Sequence, residues 1–135
     1  MINHRFSCYL LLVLFVLTAC DKFARNDQLS VSQHTNEVAV SNLNLGIEYM
    51  QQGEYEKSLE NLNRALAADS RYTPTYNALG LLYQLMGRND QAEKYFKQAL
   101  SINANDSNSL NNYGQFLCTT NHYEQAQELF LARIS

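Results

Sequence analysis

YNALGLLY at Tyr76–Tyr83, followed by AEKYFKQA at Ala92–Ala99, is the stretch from which the fold can be read. In the first segment Tyr76, Leu79, Gly80 and Tyr83 recur at the spacing of one helical face, and in the second Ala92, Phe96 and Ala99 do the same. Working outward, the pattern returns on both sides. Leu45, Gly46 and Tyr49 precede Ser58, Leu62 and Ala65; Tyr113, Gly114 and Leu117 precede Ala126 and Phe130. Gly46, Gly80 and Gly114 stand 34 residues apart, as do Gly53, Gly87 and Asn121, with no insertion between copies. Two helices joined by a short turn approach closely only where side chains are small. Gly at the eighth position of each copy and Ala or Ser at the twentieth therefore mark a helix crossing, and the large residues around them fill the space between helices. Unrelated amphipathic helices do not predict a fixed period.

A helix-turn-helix unit of this length resembles the tetratricopeptide repeat, which implies an all-α helical solenoid. In that frame residues 39–72, 73–106 and 107–135 are three repeats, the last incomplete, and three is the number at which stacking buries a continuous core. Helices are expected near 40–52, 55–68, 74–86, 89–102, 107–120 and 122–133. Thr73 before Pro74 reads as an N-cap with proline at the first helical position. Tyr72 and Tyr76 read as packing between repeats.

Residues 1–19 differ in kind. Arg5 and His4 precede an uninterrupted apolar run at 9–17 (YLLLVLFVL), and Leu17-Thr18-Ala19-Cys20 follows at once. Nine apolar residues suit a signal-peptide core and fall well short of the ~20 that span a bilayer. Small residues before a cysteine resemble the bacterial lipobox, which implies acylation of Cys20 by palmitate-like chains and a membrane anchor; an ordinary signal peptide with an incidental cysteine is the other reading. Residues 20–38 read as the lipidated N-terminus and a polar tether.

Composition excludes several classes. The chain has 10 basic and 13 acidic residues, net charge −3, and losing residues 1–19 with Arg5 makes it −4. Nucleic-acid binding is not expected from such a balance. Of the three cysteines, Cys8 leaves with the signal and Cys20 is acylated, so Cys118 has no internal disulfide partner and reads as a packed thiol. His34 and His122 lack zinc-type spacing, and no phosphate loop or nucleophile elbow occurs. Glu54, Glu56 and Glu60 fall in the first turns of a helix, where they complement its dipole. No catalytic residue, metal, cofactor or small-molecule substrate is expected.

What remains is a binding surface. The first helix of each tetratricopeptide repeat lines the concave face, which in this register exposes Val40, Leu43, Ile47 and Met50, then Asn77, Leu81, Gln84 and Leu85, then Asn111, Gln115 and Cys118. This list contains no Lys or Arg, so a clamp for a C-terminal carboxylate is not supported. An apolar first repeat and amide-rich later repeats suit a protein segment with apolar side chains and free backbone groups. Packing of the apolar members against the tether is the alternative.

The lipobox, the polar lead-in and the run ALGLLYQLMGRNDQAEKYFKQALSINANDSNSLNNYGQFLC (Ala78–Cys118), above all NNYGQFLC at Asn111–Cys118, resemble the PilW/PilF family of type IV pilus biogenesis and stability lipoproteins. The resemblance implies a pilotin: a lipid-anchored adaptor that binds the pilus secretin and supports its assembly in the outer membrane, facing the periplasm. Asp21 directly after Cys20 departs from that picture, because in enteric bacteria aspartate there favours inner-membrane retention. Length is a second departure: the third copy stops at Ser135, with Arg133 where a small residue is expected. That predicts a truncated repeat with an uncapped apolar edge at Leu129 and Phe130. An accessory lipoprotein of another envelope complex or cell-wall enzyme, or an inert product, are the other readings.

Overall fold

The computed structural model describes residues 36–131, which form six helices and no strand. Residues 36–51 are helical (α1), followed by α2 (Tyr55–Ala68), α3 (Thr73–Leu85), α4 (Asn89–Ile102), α5 (Ser107–Thr119) and α6 (Tyr123–Leu131). The signal peptide, Cys20, Asp21 and Arg133 lie outside the described residues. The tether expected to reach Val38 is already helical from Asn36, because Ala39 packs fully buried and extends the buried face of α1.

Each repeat is a helix pair, and the crossing within each pair has one design. A Cβ placed on Gly46 would lie 2.7 Å from Leu62 Cδ2; on Gly80, 2.6 Å from Phe96 Cε1; on Gly114, 2.4 Å from Phe130 Cζ. The partner is always the residue sixteen positions on. Beside it sits the second small residue, Ser58, Ala92 or Ala126, buried in every copy. Ser58 is the polar variant: its hydroxyl donates to the Gly46 carbonyl oxygen at 2.7 Å, which satisfies a group that would otherwise be buried without a partner.

The turn inside each repeat also recurs. Gly53, Gly87 and Asn121 carry φ of 78°, 72° and 64°. The N–H of each turn residue donates three residues back, and the next N–H five residues back, as in Glu54 to Tyr49 O at 2.9 Å, Arg88 to Tyr83 O at 2.8 Å and His122 to Leu117 O at 2.8 Å. This is the Schellman termination, which requires a left-handed residue at that place.

Between repeats, Asp69 and Asn103 end α2 and α4 in extended backbone, and their side-chain oxygens accept from the N–H two residues on. The next helices begin differently. Asp106 caps α5 by accepting from the Ser109 N–H at 2.9 Å. Thr73 does not cap α3. Tyr72 is the residue outside the helix, its carbonyl accepting from the Thr75 N–H at 3.1 Å, so the first turn closes one residue earlier than a Thr73 cap requires.

The core follows stacking across repeats. Leu43, Met50, Leu62, Leu79 and Leu82 form one cluster, and Phe96, Tyr113, Phe116, Leu117 and Ala126 another, with Tyr83 packed against both. Phe96 joins α4 to the following repeat through Phe116 at 5.4 Å and Tyr113 at 6.2 Å between ring centroids. Burying a ring of this size stabilises by about 1.5–3 kcal/mol. Leu129 packs against this second cluster, whereas Phe130 and Leu131 on α6 are exposed.

Candidate functional site

The first helices of the repeats, α1, α3 and α5, line a cavity of about 260 Å³. Its wall is assembled from equivalent positions. Ile47 and Leu81 are one repeat apart, as are Pro74 and Asn108, and Ala78 and Asn112; Met50, Asn77 and Asp106 complete it. The side toward α1 is apolar and the side toward α5 is polar.

Of the residues expected to face this groove, Ile47, Met50, Asn77 and Leu81 line the cavity. Leu43 is a correction: at 5 % exposure it belongs to the core cluster with Leu62 and Leu79 rather than to a surface. Met50 is only 7 % exposed and serves the core as well as the cavity wall, so it is not a free groove position. Asn77 is likewise buried. Val40 is half-buried on α1, and Gln84 is held by donating from Nε2 to Thr119 Oγ1 at 3.1 Å. Asn111 and Gln115 are exposed on α5 but do not line the cavity, which Asn108 and Asn112 do. One residue is about 100° of helix rotation, so the amides expected here are turned off the groove while their neighbours point across it. Leu85 is exposed at the same face of α3. Cys118, read both as a packed thiol and as a concave-face position, is exposed but does not line the cavity.

Asp106, Asn108, Asn112, Pro74 and Ala78 were not among the expected residues. The period could have found two of them, because Pro74 and Asn108 are the repeat equivalents of Val40, whereas Ala78 and Asn112 are equivalent to each other and to no expected residue. Asp106 lies outside the helix, where a reading confined to helix faces does not look.

Three polar groups at the groove are wired together. Asn77 Nδ2 donates to Ser109 Oγ at 2.8 Å, and Ser109 Oγ donates to Asp106 Oδ2 at 2.5 Å. A carboxylate only accepts, so the single Ser109 hydroxyl proton is committed to it and the serine oxygen is left to accept from Asn77. That orients the asparagine amide and leaves its Oδ1 buried with no hydrogen-bond partner in the protein. Such an orphan acceptor costs about 1–3 kcal/mol.

The shifted titrating groups lie away from the cavity. Lys97 donates to Glu93 and holds its carboxyl below the usual range, with Tyr113 O–H donating to the same oxygen at 2.9 Å. Burial, then that bond to Glu93, pushes the Tyr113 phenol up. Burial does the same to Tyr95, whose ring stacks on Tyr83 at 5.3 Å. These groups join α4 to its neighbouring helices. Among the described residues no cluster of His, Cys, Asp and Glu is arranged to hold a metal, and no helix is long and apolar enough to cross a membrane.

The tetratricopeptide repeat model matches residues 37–105 and again 73–133, and the chain belongs to that family. Tetratricopeptide domains bind protein partners and are typically scaffolds rather than enzymes. Within the family, an uncharacterized protein of Haemophilus influenzae is 30 % identical over 116 residues, 86 % of this chain and 62 % of that one. The type IV pilus assembly protein PilF of Pseudomonas aeruginosa is 28 % identical over 115 residues, 85 % of this chain and 46 % of its own. A solved structure of P. aeruginosa PilF superposes with a TM-score of 0.69 at 28 % identity, covering 73 % of this chain and 44 % of that chain. The crystal structure of PilW, a type IV pilus biogenesis factor, gives a TM-score of 0.67 at 31 % identity, covering 70 % and 44 %. The chain thus spans about half to three fifths of the length of these curated relatives.

Proposed function

We propose that this protein is a pilotin-like adaptor of type IV pilus assembly, which binds a secretin subunit through the groove of α1, α3 and α5. The observation that carries the reading is the likeness to PilF and PilW, which runs through the repeat array that forms the groove. In this reading Cys20 is acylated and anchors the chain to the outer membrane on its periplasmic side, and the groove holds a secretin segment by apolar contact with Ile47 and Leu81. Those two side chains, with Pro74, are the apolar lining residues that remain accessible, Leu81 at 47 % exposure, while Met50 and Ala78 are largely buried.

Co-purification of the secretin with the full chain from membranes tests the proposal. Ile47→Glu and Leu81→Glu are each expected to reduce secretin recovery at least about tenfold, since an uncompensated charge in an apolar contact costs well over 1.4 kcal/mol. Far-UV circular dichroism should stay unchanged. Full recovery with both substitutions present would remove the groove from the interaction.

A further inference from the structure

The groove has a sign as well as a shape. Every described Lys and Arg, namely Lys57, Arg64, Arg71, Arg88, Lys94 and Lys97, lies on α2, on α4 or in a turn, and the described parts of α1, α3 and α5 contain none. Asp106 is the only charged residue in the cavity wall. Beside it Asn77 is a lining residue at 7 % exposure, and its Oδ1 is buried without a donor. The relay through Ser109 fixes that polarity, since reversing the asparagine amide would set two acceptors against each other.

Resting on the groove as the partner site, we propose that it selects a protein segment in which an apolar side chain adjoins an arginine or lysine. The apolar side chain sits against Ile47, Ala78 and Leu81, and the cation donates to the Asp106 carboxylate. Charge complementarity decides between occupants. An acidic segment or a free C-terminal carboxylate would meet Asp106 with no neutralising cation on any of the three helices, whereas a guanidinium or an ammonium brings the opposite charge. Asp106 keeps its capping bonds through Oδ2 while its charge faces the cavity.

Three fluorescein-labelled octapeptides test this, each with one pair in a Ser/Ala background: Leu-Arg, Leu-Gln or Leu-Glu. Binding to the full chain in neutral detergent is read by anisotropy. The Leu-Arg peptide is expected to bind about tenfold more tightly than Leu-Glu, with Leu-Gln between, and the gap should shrink at roughly 0.5 M salt. Asp106→Asn retains an N-cap oxygen, and should bring the three peptides to within about threefold of one another. Glu60→Gln on α2 removes the same charge away from the groove and should leave the tenfold gap intact. Equal affinity for Leu-Arg and Leu-Glu, or an equal loss of preference in Asp106→Asn and Glu60→Gln, overturns the cationic selection while leaving the groove as a site. Affinities for all three peptides that Leu81→Glu does not change overturn the groove itself.

Discussion

Two sets of residues share the 34-residue period and differ in what they tolerate. At the helix crossings the residue is Gly in all three copies; at the turns it is Gly, Gly and then Asn. The crossings at Gly46, Gly80 and Gly114 leave 2.7 Å or less between a notional Cβ and the nearest side chain across, so the constraint is volume. At Gly53 and Gly87 nothing lies within 4 Å of a notional Cβ, and the constraint is a positive φ alone. Asparagine satisfies the second demand, since its short polar side chain tolerates the left-handed region, and it cannot satisfy the first. A shared period therefore does not mean a shared cause.

The strongest way to break this distinction is to fill a crossing. Gly80→Leu drives a side chain into Phe96, which is 1 % exposed and already packed on Tyr113 and Phe116. The expected loss is about 3 kcal/mol, the upper part of the overpacking range, or a fall in Tm of more than ~10 °C for a domain of this size. Gly114→Leu has the tighter notional contact, yet Phe130 is 43 % exposed and its ring can swing away, so about half that loss is expected. Thermal unfolding followed by circular dichroism compares the two. Equal losses would mean that the Phe130 ring is held as firmly as Phe96.

Much of this was legible in the sequence because it depended on period alone. The helix ranges of α2 and α4, the crossing glycines and the left-handed turn at Asn121 all follow from spacing. The groove was legible only in part. Ile47 and Leu81 follow from the repeat frame, but whether Leu43 faces solvent or core depends on how closely the following helices approach, and that is a tertiary fact. The same holds for Asn112 against Asn111: one step of helix rotation separates a lining residue from an exposed one, and the spacing of apolar residues does not resolve that angle on a polar face. The orphaned oxygen of Asn77 was out of reach altogether, since it arises from a proton committed between Ser109 and Asp106, one repeat away.

A smaller effect is expected where the turn constraint acts without any volume constraint. Gly87→Ala adds a methyl group into open space, but holds alanine at φ 72°. The cost is the left-handed strain of about 1 kcal/mol, with no contribution from packing. Urea unfolding should show a lower midpoint and an unchanged slope, because the surface exposed on unfolding is the same. A loss near that of Gly80→Leu would mean that the turn is packed as tightly as the crossing, and the two sets would no longer be distinct.

The finest test is Asn121, where the chain itself has made the substitution. Asn121→Gly removes the residual strain of a side chain at φ 64°, which favours the folded state. It also adds freedom to the unfolded chain, opposing by about 0.4–1 kcal/mol, and removes the exposed bond in which Tyr123 O–H donates to Asn121 Oδ1 at 2.8 Å. These contributions are of similar size and opposite sign, so the net change should lie within about 0.5 kcal/mol of zero. Asn121→Ala keeps the backbone demand and loses both the tyrosine bond and asparagine's tolerance of the left-handed region, for an expected loss of about 1 kcal/mol. Denaturant titrations of the two variants side by side carry the answer. If Asn121→Gly were clearly stabilising, asparagine would be a poor stand-in at this turn; if Asn121→Ala were neutral, positive φ would not be what the period preserves at 53, 87 and 121.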